Sequence, residues 1–259
     1  MNAIKKGEKK RVVVLGAGTA VPAPQRSPAS VLLQYTNFTA LLDMGPGTIA
    51  KLPLYGVDVL TLQNIFISHL HPDHTLDLAT FFMICDYASA ERGDLPLNLI
   101  GCVGLEDFVL QFMSAFPDIA LPSEQMKIKE VLHDDFYHGG MRIRSALSGH
   151  TATSVSFRFD IDNKSVVYTS DCVQNTALET LCEEADVLIS ECSYPDGWKT
   201  TDHMNAQTLG RMAENARVKR LIVTHQYPPA LKVNLEEQIK QYYSGSVLIA
   251  EDGCNIELD

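Results

Sequence analysis

The sequence lacks paired cysteines. Its six (Cys85, Cys102, Cys172, Cys182, Cys192 and Cys254) are scattered along 259 residues with no Cys-x-x-Cys spacing. That argues against a thiolate zinc site and against a disulfide framework, which a chain this long does not need. Long apolar runs are also missing. The opening MNAIKKGEKKR is polar, and the run from Val12 to Leu15 is too short for a signal core or a membrane span. The expectation is a cytoplasmic protein with reduced thiols and no membrane partner. Positive charge is short as well: 21 Lys and Arg against 32 Asp and Glu leave a net charge of −11. Proteins that grip long nucleic acid through its phosphates normally carry a basic face. A small-molecule substrate is therefore the better expectation than long RNA or DNA.

What is present is ordinary globular material, with 46% hydrophobic and 20% charged residues. Residues 1–10 read as a flexible tail and 11–259 as a single domain. Strand-like runs come first, at 11–16, 30–35 and 39–43, with a helix expected around 46–55. The strand candidate 64–68 follows, then helices near 76–90 and 104–116 separated by a strand at 97–101. The second half repeats this order: strands at 126–132, 141–147, 153–160 and 164–170, with Asp162-Asn163 as a turn. After these come a helix at 174–184, a strand at 186–190, a helix at 204–216 and a strand at 219–224. A helix near 234–243 and two short strands close the chain. Strands before helices, twice over, predict two sheet-plus-helix halves in an α/β fold. Gly16-Ala17-Gly18 imitates a dinucleotide-binding turn, but Pro22 and Pro24 follow where a helix would have to start.

The chemistry concentrates in Ser68-His69-Leu70-His71-Pro72-Asp73-His74. Three of the chain's eight histidines and an aspartate fall within six positions, directly after a buried-looking strand. Imidazole and carboxylate suit zinc and its first-row neighbours, and a loop at a strand end lets such side chains converge. One cluster cannot complete two metal shells. His150, Asp171 and His225 each follow a strand-like run and are the further candidates. His133 and His138, in HDDFYHGG, read as solvated members of a polar hairpin-like loop, and His203 lies just before a helix.

SHLHPDH resembles the His-x-His-x-Asp-His signature of the metallo-β-lactamase superfamily. LGAGTAVPAPQRSPAS, LLDMGPGT, GHTATSVSFRF, VVYTSDC, ADVLISECSY and RLIVTH resemble successive blocks of its ribonuclease Z-like branch. The resemblance runs from about residue 11 to 230. It implies a four-layer αβ/βα sandwich holding two divalent metal ions, zinc foremost, with manganese or iron as alternatives. One ion would take His69, His71 and His150, the other Asp73, His74 and His225, with Asp171 bridging. His203 matches a histidine kept near the scissile phosphate, so Asp73 and His203 are the implied catalytic residues. A homodimer is implied by analogy. Two departures stand out. Asp77 occupies a position where glycine is common, and only 20 residues (151–170) separate His150 from Asp171, leaving no room for the long tRNA-binding arm.

These readings predict a dinuclear hydrolase that aims a metal-bound hydroxide at its substrate, foremost a small or cyclic phosphodiester. The same site would serve a sulfate ester, lactone, thioester or β-lactam. A tRNA 3′-processing endonuclease fits less well, as does a metal-binding protein without catalysis.

Overall fold

In the computed structural model, residues 9–258 are described. Residues 1–8 of the expected tail fall outside that range, while Lys9 and Lys10 begin the first strand. Strands β1 (Lys9–Gly16), β2 (Ser30–Thr36), β3 (Phe38–Leu42), β4 (Asn64–Ile67), β5 (Leu97–Cys102) and β6 (Met126–Val131) belong to one sheet. Strands β7 (Asp135–His138), β8 (Met141–Leu147), β9 (Val155–Ile161), β10 (Lys164–Tyr168), β11 (Val187–Glu191), β12 (Arg220–Thr224) and β13 (Ser246–Ile249) form the other. The last strand, β14 (Cys254–Glu257), returns to the first sheet, whose order is β14-β1-β2-β3-β4-β5-β6. The second runs β13-β12-β11-β10-β9-β8-β7.

Each sheet joins an antiparallel half to a parallel half. Pairing is antiparallel from β14 to β3 and parallel from β3 to β6. It is antiparallel from β7 to β10 and parallel from β10 to β13. This repetition is the two-half order expected from the sequence.

Burial explains the layering. Alternate residues of β1, such as Val12 and Val14, face the other sheet, and Val13 and Leu15 face helices. Between the sheets Phe66 meets Phe157 and Phe159 edge-on at centroid separations of 5.3 and 5.1 Å. The helix Asp77–Tyr87 covers the first sheet with Leu78, Phe81 and Phe82. Thr176–Cys182 and Ala206–Asn215 cover the second with Leu178, Leu181, Leu209 and Met212. The order is helix, sheet, sheet, helix, the sandwich the resemblance implied. No helix among the described residues is long and apolar enough to cross a membrane.

Some elements differ from expectation. The helix expected at 46–55 is α-helical only over Thr48–Lys51 and tightens into a 3-10 turn over Leu52–Tyr55, where Pro53 removes a backbone donor. The expected 76–90 helix divides at Ala88, and the 234–243 helix is Leu235–Ile239. HDDFYHGG is the hairpin arm expected, with His133 exposed, but its centre is strand rather than loop. Asp135–His138 pairs with β8, and His138 Nε2 lies 2.7 Å from Asn64 Oδ1 at the foot of β4.

Candidate metal centre

The parallel strands end together, and the site sits on those ends. Ile67 closes β4, and Ser68 and His69 continue inward, both buried. His71 then precedes Pro72, whose fixed φ suits the first position of the one-turn helix Pro72–Thr75 carrying Asp73 and His74. Asp171 follows β10, His225 follows β12, and His150 lies between β8 and β9. Three non-glycine residues here have left-handed backbones: Asp43 (φ 61°), Ser170 (φ 55°) and His225 (φ 54°). Such conformations cost of order 1–3 kcal/mol each and persist only where their surroundings fix them. They end β3, β10 and β12, where the chain must turn sharply to bring side chains together.

The expected residues converge. His69 Nε2 and His150 Nε2 lie 3.1 and 3.2 Å from His71 Nδ1. Asp171 Oδ2 is 3.8 Å from His69 Nε2 and 3.6 Å from His150 Nε2. Its other oxygen, Oδ1, is 3.4 Å from His74 Nε2 and 3.2 Å from His225 Nε2. Asp73 Oδ2 approaches the same two nitrogens at 3.8 and 3.5 Å. Asp171 thus turns one oxygen to each group: His69, His71 and His150 on one side, Asp73, His74 and His225 on the other. His71 is the exposed member.

Three atoms at this centre are buried without a hydrogen-bond partner: His74 Nε2, Asp171 Oδ1 and His225 Nε2. Each unsatisfied buried polar atom costs about 1–3 kcal/mol, so three side by side call for a shared partner. Charge points the same way. Burial opposes ionisation of Asp171, but His225 and His74 outweigh it and hold that carboxyl well below its ordinary range. Burial also opposes charging of His74, yet Asp171 and Asp43 raise it well above an ordinary imidazole. Buried carboxylates are drawing positive charge inward. His69, buried and beside His74, is pushed down to about 3, which keeps its ring neutral and its lone pair free. The donor set, imidazole with carboxylate and no thiolate, suits a divalent ion.

Two carboxylates unassigned by the sequence reading support these groups. Asp43, fully buried after β3, accepts Ser68 N at 2.8 Å, Ser68 Oγ at 2.8 Å, His74 Nδ1 at 2.7 Å and Tyr168 Oη at 2.7 Å. It fixes the His74 tautomer and, through Ser68 Oγ 3.0 Å from His69 Nδ1, the His69 ring. Glu191, the last residue of β11, does the same opposite. It accepts Cys172 N at 2.7 Å, Ser193 Oγ, and His203 Nδ1 at 2.9 Å. Burial disfavours charge on His203, but the hydrogen bond and charge of Glu191 prevail and lift its pKa to about 9. His203 stands beside the cluster, its ring centroid 4.7 Å from that of His150. Tyr227, stacked at 5.6 Å on Tyr194, lines the same wall.

Asp77, the departure from the expected glycine, makes no hydrogen bond to a candidate ligand. Its Oδ2 accepts Ile49 N at 2.9 Å and its N–H donates to Met44 O at 3.1 Å, joining the 43–49 loop to the histidine-rich turn. The 20 residues between His150 and Asp171 are taken up by β9, β10 and the tight turn at Asp162 (φ 51°). No protruding arm exists there.

Comparison with known proteins agrees with this architecture. The chain belongs to the family described as Anti-Pycsar protein Apyc1, whose model matches residues 10–244. It is 26% identical over 278 residues to Ribonuclease Z of Mycobacterium avium (strain 104), covering 96% of this chain and 98% of that protein. It is 27% identical over 249 residues to the Bacillus subtilis (strain 168) protein named "Probable metallo-hydrolase YhfI", covering 94% and 98%. The crystal structure of YhfI, a metallo-beta-lactamase fold protein, superposes with a TM-score of 0.83 over 95% of this chain and 98% of that one. Human tRNase Z, short form, shares the fold at a TM-score of 0.75 and 24% identity, over 96% and 99% of the two chains. The fold is the metallo-β-lactamase sandwich and the chain is a metallo-hydrolase of the ribonuclease Z-like branch.

Proposed function

We propose that this protein is a dinuclear-metal phosphodiesterase acting on a small or cyclic phosphodiester. The observation that carries the reading is Asp171, whose two oxygens face two separate nitrogen-bearing groups. His69, His71 and His150 would hold one ion, Asp73, His74 and His225 the other, and Asp171 would bridge them. When bound, such a pair supplies Lewis acidity, acidifying a water towards neutrality and drawing charge from the substrate's oxygens.

The chain's own groups would do the rest. Asp73, held down to about 2 because His225 and His74 outweigh its burial, stays an acceptor at neutral pH and can orient the attacking water. His203, kept protonated by Glu191, can donate a hydrogen bond to the phosphoryl oxygens or a proton to the leaving oxygen. The exposure of His71, beside His150 and near His203, supports substrate entry from that side. The short His150–Asp171 hairpin and the net charge of −11 favour a compact substrate over a long polyanion.

A panel of cyclic and linear phosphodiesters, aryl sulfates, lactones and thioesters tests the reading. Turnover concentrated on phosphodiesters is expected. Turnover confined to sulfates, lactones or thioesters would keep a hydrolase and overturn the bond assigned to it.

A further inference from the structure

His225 is held by its backbone as well as its ring. Its N–H donates to Ala17 O at 2.8 Å, and its carbonyl accepts Ser193 Oγ at 3.1 Å. Its φ of 54° is one that an L-residue adopts only under such constraint. The Ala17 carbonyl lies in the Gly16–Pro28 loop, which is tied internally by an isolated bridge between Ala23 and Arg26 and by Gly18 N donating to Ser27 O at 2.8 Å. A further anchor comes from the far end of the chain. Asp252, in the turn before β14, accepts Ala17 N at 2.9 Å through Oδ1 and Ser27 N at 2.8 Å through Oδ2. Both ends of the loop thereby hang on one carboxylate. Lys51 Nζ completes the knot, 2.6 Å from Asp252 Oδ2, 2.6 Å from Leu15 O and 2.7 Å from Ser27 Oγ. Lys51 and Asp252 are only 22% and 17% exposed, so this pair is poorly screened by solvent.

We propose that Asp252, clamped by Lys51, is a positioning residue for His225, acting through the Ala17 carbonyl to set the group formed with Asp73 and His74. Gly16 and Gly18 allow the arrangement, because a Cβ on either would collide with the carbonyls of Pro28 or Arg26. Without the carboxylate, Ala17 N and Ser27 N lose their acceptor, and the loop is left with the Gly18 N–Ser27 O bond and its Arg26 and Lys51 contacts. His225 can then relax from its left-handed backbone and carry Nε2 away from Asp73 and Asp171. His69, His71 and His150 make no hydrogen bond to this loop and are left in place.

The inference rests on reading His225 as a metal ligand, and the test separates the two. Zn2+ binding is measured by chelator competition, and Co2+ binding by its visible spectrum, for the unaltered protein, Asp252→Ala, Asp252→Asn and Lys51→Met. The expected result is two equivalents in the unaltered protein. In Asp252→Ala one equivalent weakens at least about 10-fold, as for other outer partners of metal ligands, with a changed Co2+ spectrum and the second equivalent unmoved. Lys51→Met, which keeps the carboxylate, and Asp252→Asn, which keeps an oxygen for Ala17 N, should fall between. Variants that melt earlier yet bind both equivalents with unchanged affinity and spectrum would make the clamp merely structural and overturn the proposal. Absence of metal from the unaltered protein would instead overturn the reading of His225 itself.

Discussion

Glu191 is buried and surrounded by donors from Cys172, Ser193, His203 and Met204, so its charge is fully committed inside the site. The consequence for His203 is a pKa raised to about 9. A group raised in this way is protonated below that value and loses its proton above it. If His203 acts as donor, turnover should therefore fall on an alkaline limb near pH 9. Glu191→Gln removes the charge that opposes desolvation, and the limb should move down by about one unit or more; a pH–rate profile for both proteins measures it. An unmoved limb would detach His203 from the proton inventory. Asp43 offers a parallel case. Asp43→Asn can no longer accept from Ser68, His74 and Tyr168 together, and metal affinity should fall about 10–100-fold, read by chelator competition. The candidate ligands stood out in the sequence because three histidines in six positions are a compositional signal. Asp43 and Glu191 were not, since each is a lone carboxylate at the end of an apolar run. Only the meeting of β3 with β4, and of β10 with β11, shows what each one holds.

Loops between strands and helices carry the site, and one of them needs a glycine. Gly45 N donates to Ala29 O at 3.1 Å, and Met44 N donates to His74 O at 2.7 Å, so this loop lies flat against the histidine-rich turn. A Cβ at position 45 would collide with the carbonyl oxygen of Asp73. Gly45→Ala should push the Asp73–His74 turn outward and weaken the equivalent that uses them, with secondary structure retained by circular dichroism. Full metal affinity in that variant would contradict the packing argument. Most strands could be read from their apolar runs because both faces are covered, one by the opposite sheet and one by helices. Their last residues could not. Runs read as strands through 43 and 170 end at Leu42 and Tyr168, because Asp43 and Ser170 leave the ladder with positive φ to build the centre. The strand Asp135–His138 was hidden for another reason: it is an edge strand of alternating half-buried and exposed residues, and its polar residues mimic a loop.

Across the whole molecule, the two sheets bring together candidate ligands from both halves of the chain, and a bound ion would join them. The groups draw on β4 in one sheet and on β8, β10 and β12 in the other. Ions that bind only the folded state stabilise it by mass action, about 2.7 kcal/mol at a free concentration 100 times Kd. Chelation should therefore lower the melting temperature, and zinc should restore it; scanning calorimetry before and after dialysis against a chelator follows the change. The expectation fails if melting is indifferent to metal. Sheet-on-sheet architecture was legible from the repeated strand-then-helix order, whereas the pairing of β14 beside β1 was not, because a four-residue strand carries little pattern and is placed by the turn at Asp252. The measurement that bears most directly on the central claim is metal content taken together with hydrolysis of bis(p-nitrophenyl) phosphate on the same sample, against a His71→Ala, Asp73→Ala double variant. Two metal equivalents per chain, with turnover that depends on them and is lost in the variant, is the predicted result. A folded protein that takes up no metal, even after reconstitution with zinc, manganese or iron, would contradict it.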